Sequence, residues 1–185
     1  MKLTFEYAKA HFEDHKCGGA PYKSWQKLAE IVQKYKPKTI LEIGTATGFT
    51  AQIMALALPT SQIDTIEMEK SHFDLASQNL AKNTNIKIWF GDCRDLMPNM
   101  KNGSYDFIFF DGYSPQLMFL PHFERLLKTN GILMTANCHL SGPATSTKNE
   151  YIRDLKNPQI WKLLDQFDDT ILLQKIKSWV IDDWS

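Results

Sequence analysis

The sequence predicts an α/β fold: a doubly wound sheet, mostly parallel with one antiparallel edge strand, and helices on both faces. Three observations predict it. Five short apolar runs alternate with stretches of helical spacing, the pattern of strands joined by right-handed crossovers. The fourth run, Asp106 to Phe110, is almost wholly apolar, as a strand covered on both faces must be. The first run, inside TILEIGTATGFT at Thr39 to Thr50, ends in a glycine turn that opens a helix. That local structure presents backbone N–H groups to a nucleotide-like ligand. The arrangement is Rossmann-like.

Each element has its own signal. Residues 1 to 20 show no clear period and read as a cap segment ending in a loop at Cys17 to Pro21. Trp25, Leu28, Ala29, Val32 and Tyr35 then recur at helical spacing until Pro37. The first strand is Thr39 to Ile43, followed by a helix from Phe49 to Leu58 that Pro59 ends. The second strand is Gln62 to Met68. Ser71 is placed as the N-cap of the next helix, which carries Phe73, Leu75, Ala76 and Leu80. Ile86 to Phe90 forms the third strand and Asp106 to Phe110 the fourth. A helix opened by Pro115 is expected to end at Gly131. Ile132 to Ala136 is the fifth strand. After a loop and a helix reaching Lys156, Trp161 to Phe167 and Ile171 to Ile176 read as a hairpin turning at Asp168 and Asp169. A tail with Trp179 and Trp184 follows; it could serve a homodimer or fold back on its own domain.

The totals bound the class. A chain of 185 residues with 43% apolar and 23% charged residues suits a single domain spanning 1–185. The net charge is zero, so no global attraction to nucleic acid or anionic membrane is implied. Lys2, Lys9, Lys16 and Lys23, with His11 and His15, read as a solvated face. Cys17, Cys93 and Cys138 are odd in number and lack metal spacing, which fits free thiols in a reducing compartment. No run has signal-peptide or membrane-span character, so a cytoplasmic protein is expected.

In a sheet of this kind ligands lie beyond the carboxyl ends of the strands. Glu42 and Gly44 close the first strand, and Glu67, 23 residues past Gly44, closes the second. A carboxylate there can accept both hydroxyls of a ribose. Gly91 and Asp92 follow the third strand, where an acid can accept from an adenine amino group, and Asp111 follows the fourth. Four acids at four strand ends suit a ligand with an adenosine and a cationic end, which Glu42 or Asp111 would attract. The turn is G-x-x-x-G, so the dinucleotide fingerprint is unmatched and a dehydrogenase is disfavoured.

ILEIGTATG, IEME, FGDC, FIFFDG and GILMTAN together resemble the class I S-adenosylmethionine-dependent methyltransferases. Within them the chain is most similar to the catechol-type O-methyltransferases and their small bacterial relatives, over about residues 18 to 176. The resemblance implies a cofactor site of Glu42, Gly44, Ala46, Gly48, Thr50, Glu67, Met68, Asp92, Cys93, Arg94, Asp111 and Tyr113. Gly44, Ala46 and Thr50 would surround the methionine part, with Gly18 to Tyr22 closing over it. Glu67 would take the ribose, Met68 the adenine face, and Asp92, Cys93 and Arg94 the adenine edge. Asp111 and Tyr113 would lie near the sulfonium and the incoming acceptor.

The departures bear on the chemistry. The family pattern holds a divalent cation with an Asp after the fourth strand and an Asp-Asn pair after the fifth. This chain keeps Asp111 and Asn137 but has Ala136 in place of the second Asp. One carboxylate and one amide make a weak site for a hard cation, so no bound metal is expected. The family's general-base Lys is here Ser114, a poor base without a partner. His139, two residues past Asn137, is the candidate proton acceptor, beside Asp111. The expected function is methyl transfer from S-adenosylmethionine, without metal, to a hydroxyl or amine on a small molecule, with RNA as another acceptor. The alternative is a protein that binds S-adenosylmethionine or S-adenosylhomocysteine without catalysis and regulates a partner.

Overall fold

The computed structural model describes residues 3–15, 19–113, 116–138 and 146–177. The chain divides into two compact units, Met1–Leu96 and Met97–Ser185. The described strands form a seven-stranded sheet of order β3-β2-β1-β4-β5-β7-β6.

The first unit runs α1 (Phe5–His15), α2 (Trp25–Tyr35), β1 (Thr39–Ile43), α3 (Phe49–Ala57), β2 (Gln62–Glu67), α4 (Lys70–Asn79), β3 (Ile86–Phe90) and α5 (Cys93–Leu96). Strands β1 and β3 have the expected spans, α2, α3, β2 and α4 differ by a residue or two at their ends, and α1 and α5 were not expected. Strand β1 pairs in parallel with β2, Glu42 lying opposite Thr65, and β2 pairs in parallel with β3. Four of the five residues of β1 are buried. This explains its unbroken apolar character around one acid.

Helix α1 was not legible as a helix. Its eleven residues mix aromatic, acidic and histidine side chains, and Ala8 is its one buried residue. It is held from outside: Leu3 and Ala8 join Phe49, Ala51 and Leu80 in one apolar cluster, and the Leu3 N–H donates to Gln52 Oε1 at 3.0 Å. Docking rather than intrinsic propensity fixes the helix. Helix α2 ends as Pro37 requires. Lys36 adopts the left-handed conformation at φ 49° and donates its N–H to Val32 O.

Ser71 is not the cap of α4. The N-cap position is Glu69, two residues earlier, and the helix begins at Lys70; Glu67 Oε1 accepts the Glu69 N–H at 2.8 Å and turns the chain immediately after β2. Ser71 instead donates its hydroxyl to Glu69 Oε1 at 3.2 Å.

The second unit runs β4 (Tyr105–Phe110), α6 (Leu120–Leu126), β5 (Leu127–Thr135), α7 (Ser146–Leu155), β6 (Trp161–Phe167) and β7 (Thr170–Lys175), with 3-10 turns at Met97–Asn99 and Leu117–Phe119. Strand β4 pairs in parallel with β5, and β5 with β7 antiparallel. The hairpin of β6 and β7 joins the sheet as expected, turning at Asp168 with φ 48°; β7 lies second from the edge and β6 outermost.

Two expectations here are corrected. The helix before β5 begins at Leu120, with Pro121 in its first turn; Pro115 lies outside the described residues. A proline is tolerated there because its missing N–H has no helical partner to lose. Gly131 does not end that helix but lies inside β5. A Cβ on it would sit 2.8 Å from Lys128 O and 3.3 Å from Asp106 O, so the glycine permits close backbone approach. The carbonyls at the end of α6 are met by Lys175, whose buried ammonium donates to Glu124 O at 2.6 Å and Leu127 O at 2.8 Å. The tail with Trp179 and Trp184 lies outside the described residues.

Candidate functional site

In the first unit, the turn after β1 is a strained loop braced by two acids. Gly44 has φ 98° and Gly48 φ 84°, values glycine adopts without cost. Ala46 sits between them at φ 47°, a conformation that costs a non-glycine residue of order 1 kcal/mol or more and needs support. Glu67, at the end of β2, supplies it: Oε2 accepts the Ala46 N–H at 2.8 Å while Oε1 accepts that of Glu69. The Asn79 side-chain N–H from α4 holds Thr47 O at 2.9 Å. An ionised carboxylate has about four acceptor positions, so Glu67 retains capacity for two further donors.

Glu42 is fully buried. Thr65, its register partner, donates to Glu42 Oε2 at 2.5 Å, and Thr45 Oγ1 lies 2.6 Å from Thr65 Oγ1. A hydroxyl has one proton. With Glu42 ionised, the Thr65 hydroxyl donates its hydrogen bond to the acid and the Thr45 hydroxyl donates to Thr65. The second oxygen, Oε1, is buried and has no hydrogen-bond partner. Burial raises the Glu42 pKa to about 7; the Thr50 and Thr65 hydroxyls oppose the shift and the Glu67 charge adds to it. Glu42 is therefore a buried acid that holds its proton more tightly than an exposed carboxyl, with the Thr50 and Thr65 hydroxyls beside it and Oε1 buried without a hydrogen bond of good geometry.

Asp92 is gripped by Arg94, whose Nε lies 3.0 Å and 2.9 Å from its two oxygens and whose Nη2 also contacts Oδ2. The Arg94 backbone N–H adds a bond to Oδ1 at 2.8 Å. That guanidinium holds the Asp92 pKa below its ordinary value. Cys93 is buried, whereas Met68 and Phe90, at the ends of β2 and β3, are half exposed and apolar. Thr50 is buried at the start of α3.

In the second unit, Asp111 follows β4 and Asn137 follows β5. Asn137, at φ 55°, donates Nδ2–H to Asp111 Oδ1 at 3.1 Å. Tyr113 packs edge-on to Phe110 and tilted to Phe119. Ala136 is buried in the strand-end position. A hard cation needs oxygen ligands, and the amide here turns its nitrogen toward the single carboxylate. Among the described residues, this pair offers a hard cation one carboxylate and one amide, with Ala136 contributing no side-chain ligand. Ser114 and His139 lie outside the described residues.

A family model described as O-methyltransferase matches residues 20–175. The chain belongs to the O-methyltransferase family. This family member is 32% identical over 100 residues to a catechol O-methyltransferase of Niastella koreensis, a match covering 50% of the chain and 44% of that relative. Its fold is similar to an O-methyltransferase from Bacillus cereus in complex with SAH, at TM-score 0.71, 18% identity, and coverage of 94% of this chain and 90% of that one. It is also similar to the O-methyltransferase TomG from Streptomyces achromogenes, in complex with SAM, at TM-score 0.73, 18% identity, and coverage of 94% and 89%. At these identities the structural likeness is one of fold. The chain spans less than half the length of the Niastella relative.

The threonine pair beside Glu42 escaped the sequence reading. Its signal was available: Thr65 lies two residues before Glu67 on β2, hence on the same face of the strand, and a polar residue there has no apolar role. His72, in the first turn of α4, carried no signal in the sequence.

Proposed function

We propose that this family member is an S-adenosylmethionine-dependent methyltransferase that works without a resident divalent metal, acting on a hydroxyl or amine of a small molecule. The observation that carries the reading is the unpartnered Oε1 of buried Glu42, beside a strained glycine turn braced by Glu67. Such an oxygen is unfavourable as it stands and favourable once a cation or donor faces it.

In this reading Glu67 accepts the two ribose hydroxyls with its remaining lone pairs, and exposed Met68 lies against the adenine. Arg94, Asp92 and the backbone at Cys93 would meet the adenine edge. Gly44, Ala46, Gly48 and Thr50 would line the methionine part, and Glu42 would offset its positive charge. The resemblance assigns Asp111 and Tyr113 to the sulfonium end. S-adenosylmethionine, when bound, supplies an electrophilic methyl carbon. The chain's task is then to orient an acceptor in line with it and exclude water, and positioning alone supplies much of such an acceleration. His139 would take the acceptor proton where the acceptor is a hydroxyl; a neutral amine needs no base before attack. A cytoplasmic location follows from the reading of the cysteines as free thiols.

A second reading, cofactor binding without catalysis, is favoured by the Asn137–Asp111 hydrogen bond and by Ser114 in place of a lysine. Calorimetry with S-adenosylhomocysteine against NAD tests the site. Glu67→Ala is expected to abolish binding of the adenosyl compound, and unchanged affinity overturns the ribose assignment. Turnover of S-adenosylmethionine with phenols, amines and RNA, with and without Mg²⁺, separates the two readings.

A further inference from the structure

Helix α1 carries His11 and His15, spaced i and i+4 and so on one face. His72, in the first turn of α4, meets that face. The ring centroids lie 4.2 Å apart for His11 and His15, 5.1 Å for His11 and His72, and 5.9 Å for His15 and His72. One ring nitrogen from each can be chosen so that all three lie within 4.8 Å of one another. Among the described residues, this is the one group of three histidines, cysteines or acids so disposed.

A second observation is independent of that proximity. Nε2 of His11 and Nε2 of His72 are both buried and hydrogen-bonded to nothing, and His72 is only 8% exposed. A buried imidazole nitrogen without a partner is unfavourable. Ring packing, such as the edge contact of His72 with Phe12, accounts for the apolar faces of these side chains but not for two orphaned nitrogens. We propose that His11, His15 and His72 form a binding site for a zinc-class divalent ion that pins α1 to α4.

The chemistry selects the ion. Three imidazoles suit Zn²⁺, Co²⁺, Ni²⁺ or Cu²⁺ and not Mg²⁺ or Ca²⁺, which take oxygen. Three protein ligands plus water complete a tetrahedral zinc site. Zn–N bonds of about 2.0–2.1 Å place tetrahedral nitrogens roughly 3.4 Å apart, so the rings close in by little more than an ångström. His15 is exposed and free to swing inward, while His72 is fixed by its burial. Ligation needs neutral imidazoles, so zinc affinity is expected to fall as pH drops.

The site joins two segments that matter to the proposed function. It ties α1 to the first turn of α4, where His72 follows Glu67 by five residues. Resting on that reading, ion binding would tighten the hold on the adenosyl compound through α4, which begins three residues after Glu67.

The test uses the untagged full chain without cofactor, so its outcome does not depend on the methyltransferase reading. Zinc calorimetry and the visible spectrum of added Co²⁺ are expected to show one equivalent bound, with tetrahedral Co²⁺ absorption and no response to Mg²⁺. His15→Ala, at an exposed position that the fold does not need, is expected to weaken Zn²⁺ by about tenfold or more and to remove the zinc-dependent rise in melting temperature. His72→Gln is expected to do the same. Absence of zinc binding overturns the proposal, as does binding that survives His15→Ala and His72→Gln with unchanged affinity, which would place the ion on other residues. Repeating the adenosyl titration with and without Zn²⁺ then tests the coupling alone.

Discussion

Glu42 shows how much one residue can hold at once. It is an acid in the centre of an apolar strand, tied to Thr65 at one oxygen, with the other oxygen buried and lacking a hydrogen bond of good geometry. The sequence exposes the anomaly, since no packing argument puts Glu in TILEI, but burial alone tells its protonation state. Unfolded, the carboxyl titrates near its ordinary 4.5; folded, near 7. Below pH 4.5 both states hold the proton. As pH climbs from 4.5 to 7 the unfolded chain releases it first, so stability drops across that window and levels off above it. The drop is at most about 3 kcal/mol, from 1.36 kcal/mol per pKa unit. Glu42→Gln keeps an oxygen to accept from Thr65 and removes the titration. Urea unfolding between pH 4 and pH 8 is expected to show the wild type losing stability relative to the variant as pH rises, with the variant's adenosyl affinity reduced. Parallel pH curves would refute the assignment.

At the scale of elements, glycine conformation separates into two physical demands. Gly48 caps α3 at φ 84°, and a Cβ there would meet Leu80 Cδ1 at 2.7 Å. Gly103 has φ 60° with nothing within 4 Å of the added atom. Both substitutions to Ala incur the left-handed conformation, about 1–2 kcal/mol. Gly48→Ala adds a core clash that costs about 1–3 kcal/mol more. Thermal melts are expected to rank Gly48→Ala well below Gly103→Ala, and equal losses would mean that Leu80 gives way freely. The sequence located the Gly48 turn because an apolar strand runs directly into it. It mislocated the end of α6 because a glycine at 131 signals a helix stop and a close strand approach equally well. It missed α1 entirely, because that helix buries one residue of its own and depends on partners far along the chain, Gln52 among them. Local pattern cannot report such non-local support. The same blindness hid the third histidine, which is 57 positions from His15 and meaningless until α4 is folded beside α1.

For the molecule as a whole, the two compact units divide the chemistry as they divide the chain. Met1–Leu96 carries the acids Glu42 and Glu67 and the braced turn; Met97–Ser185 carries Asp111, Asn137 and the position of the missing lysine. Glu42 and Glu67 of the first set were legible as acids at strand ends, and their roles are those the family resemblance implies. The second was legible only as a set of departures, because what replaces a ligand is set by side-chain orientation: the amide of Asn137 turns its nitrogen to Asp111. Ala136 sits buried at the end of β5, its N–H bonded to Phe110 O at 2.9 Å, so the backbone at that position is already fixed. Ala136→Asp would add a second carboxylate beside Asp111. Two carboxylates repel, and a divalent cation offsets both that repulsion and its own dehydration. Asn137 then gains by presenting its oxygen. Adding Ser114→Lys supplies a proton acceptor. The double variant is expected to bind Mg²⁺ or Mn²⁺, to melt higher with the ion than without it, and to methylate a catechol only in its presence. Zinc should still be released by His15→Ala, since that site is built from imidazoles. If the double variant binds metal yet leaves the catechol untouched, the lost ligand and base are not what separates this chain from metal-dependent catechol chemistry, and the divergence lies in the residues that select the acceptor.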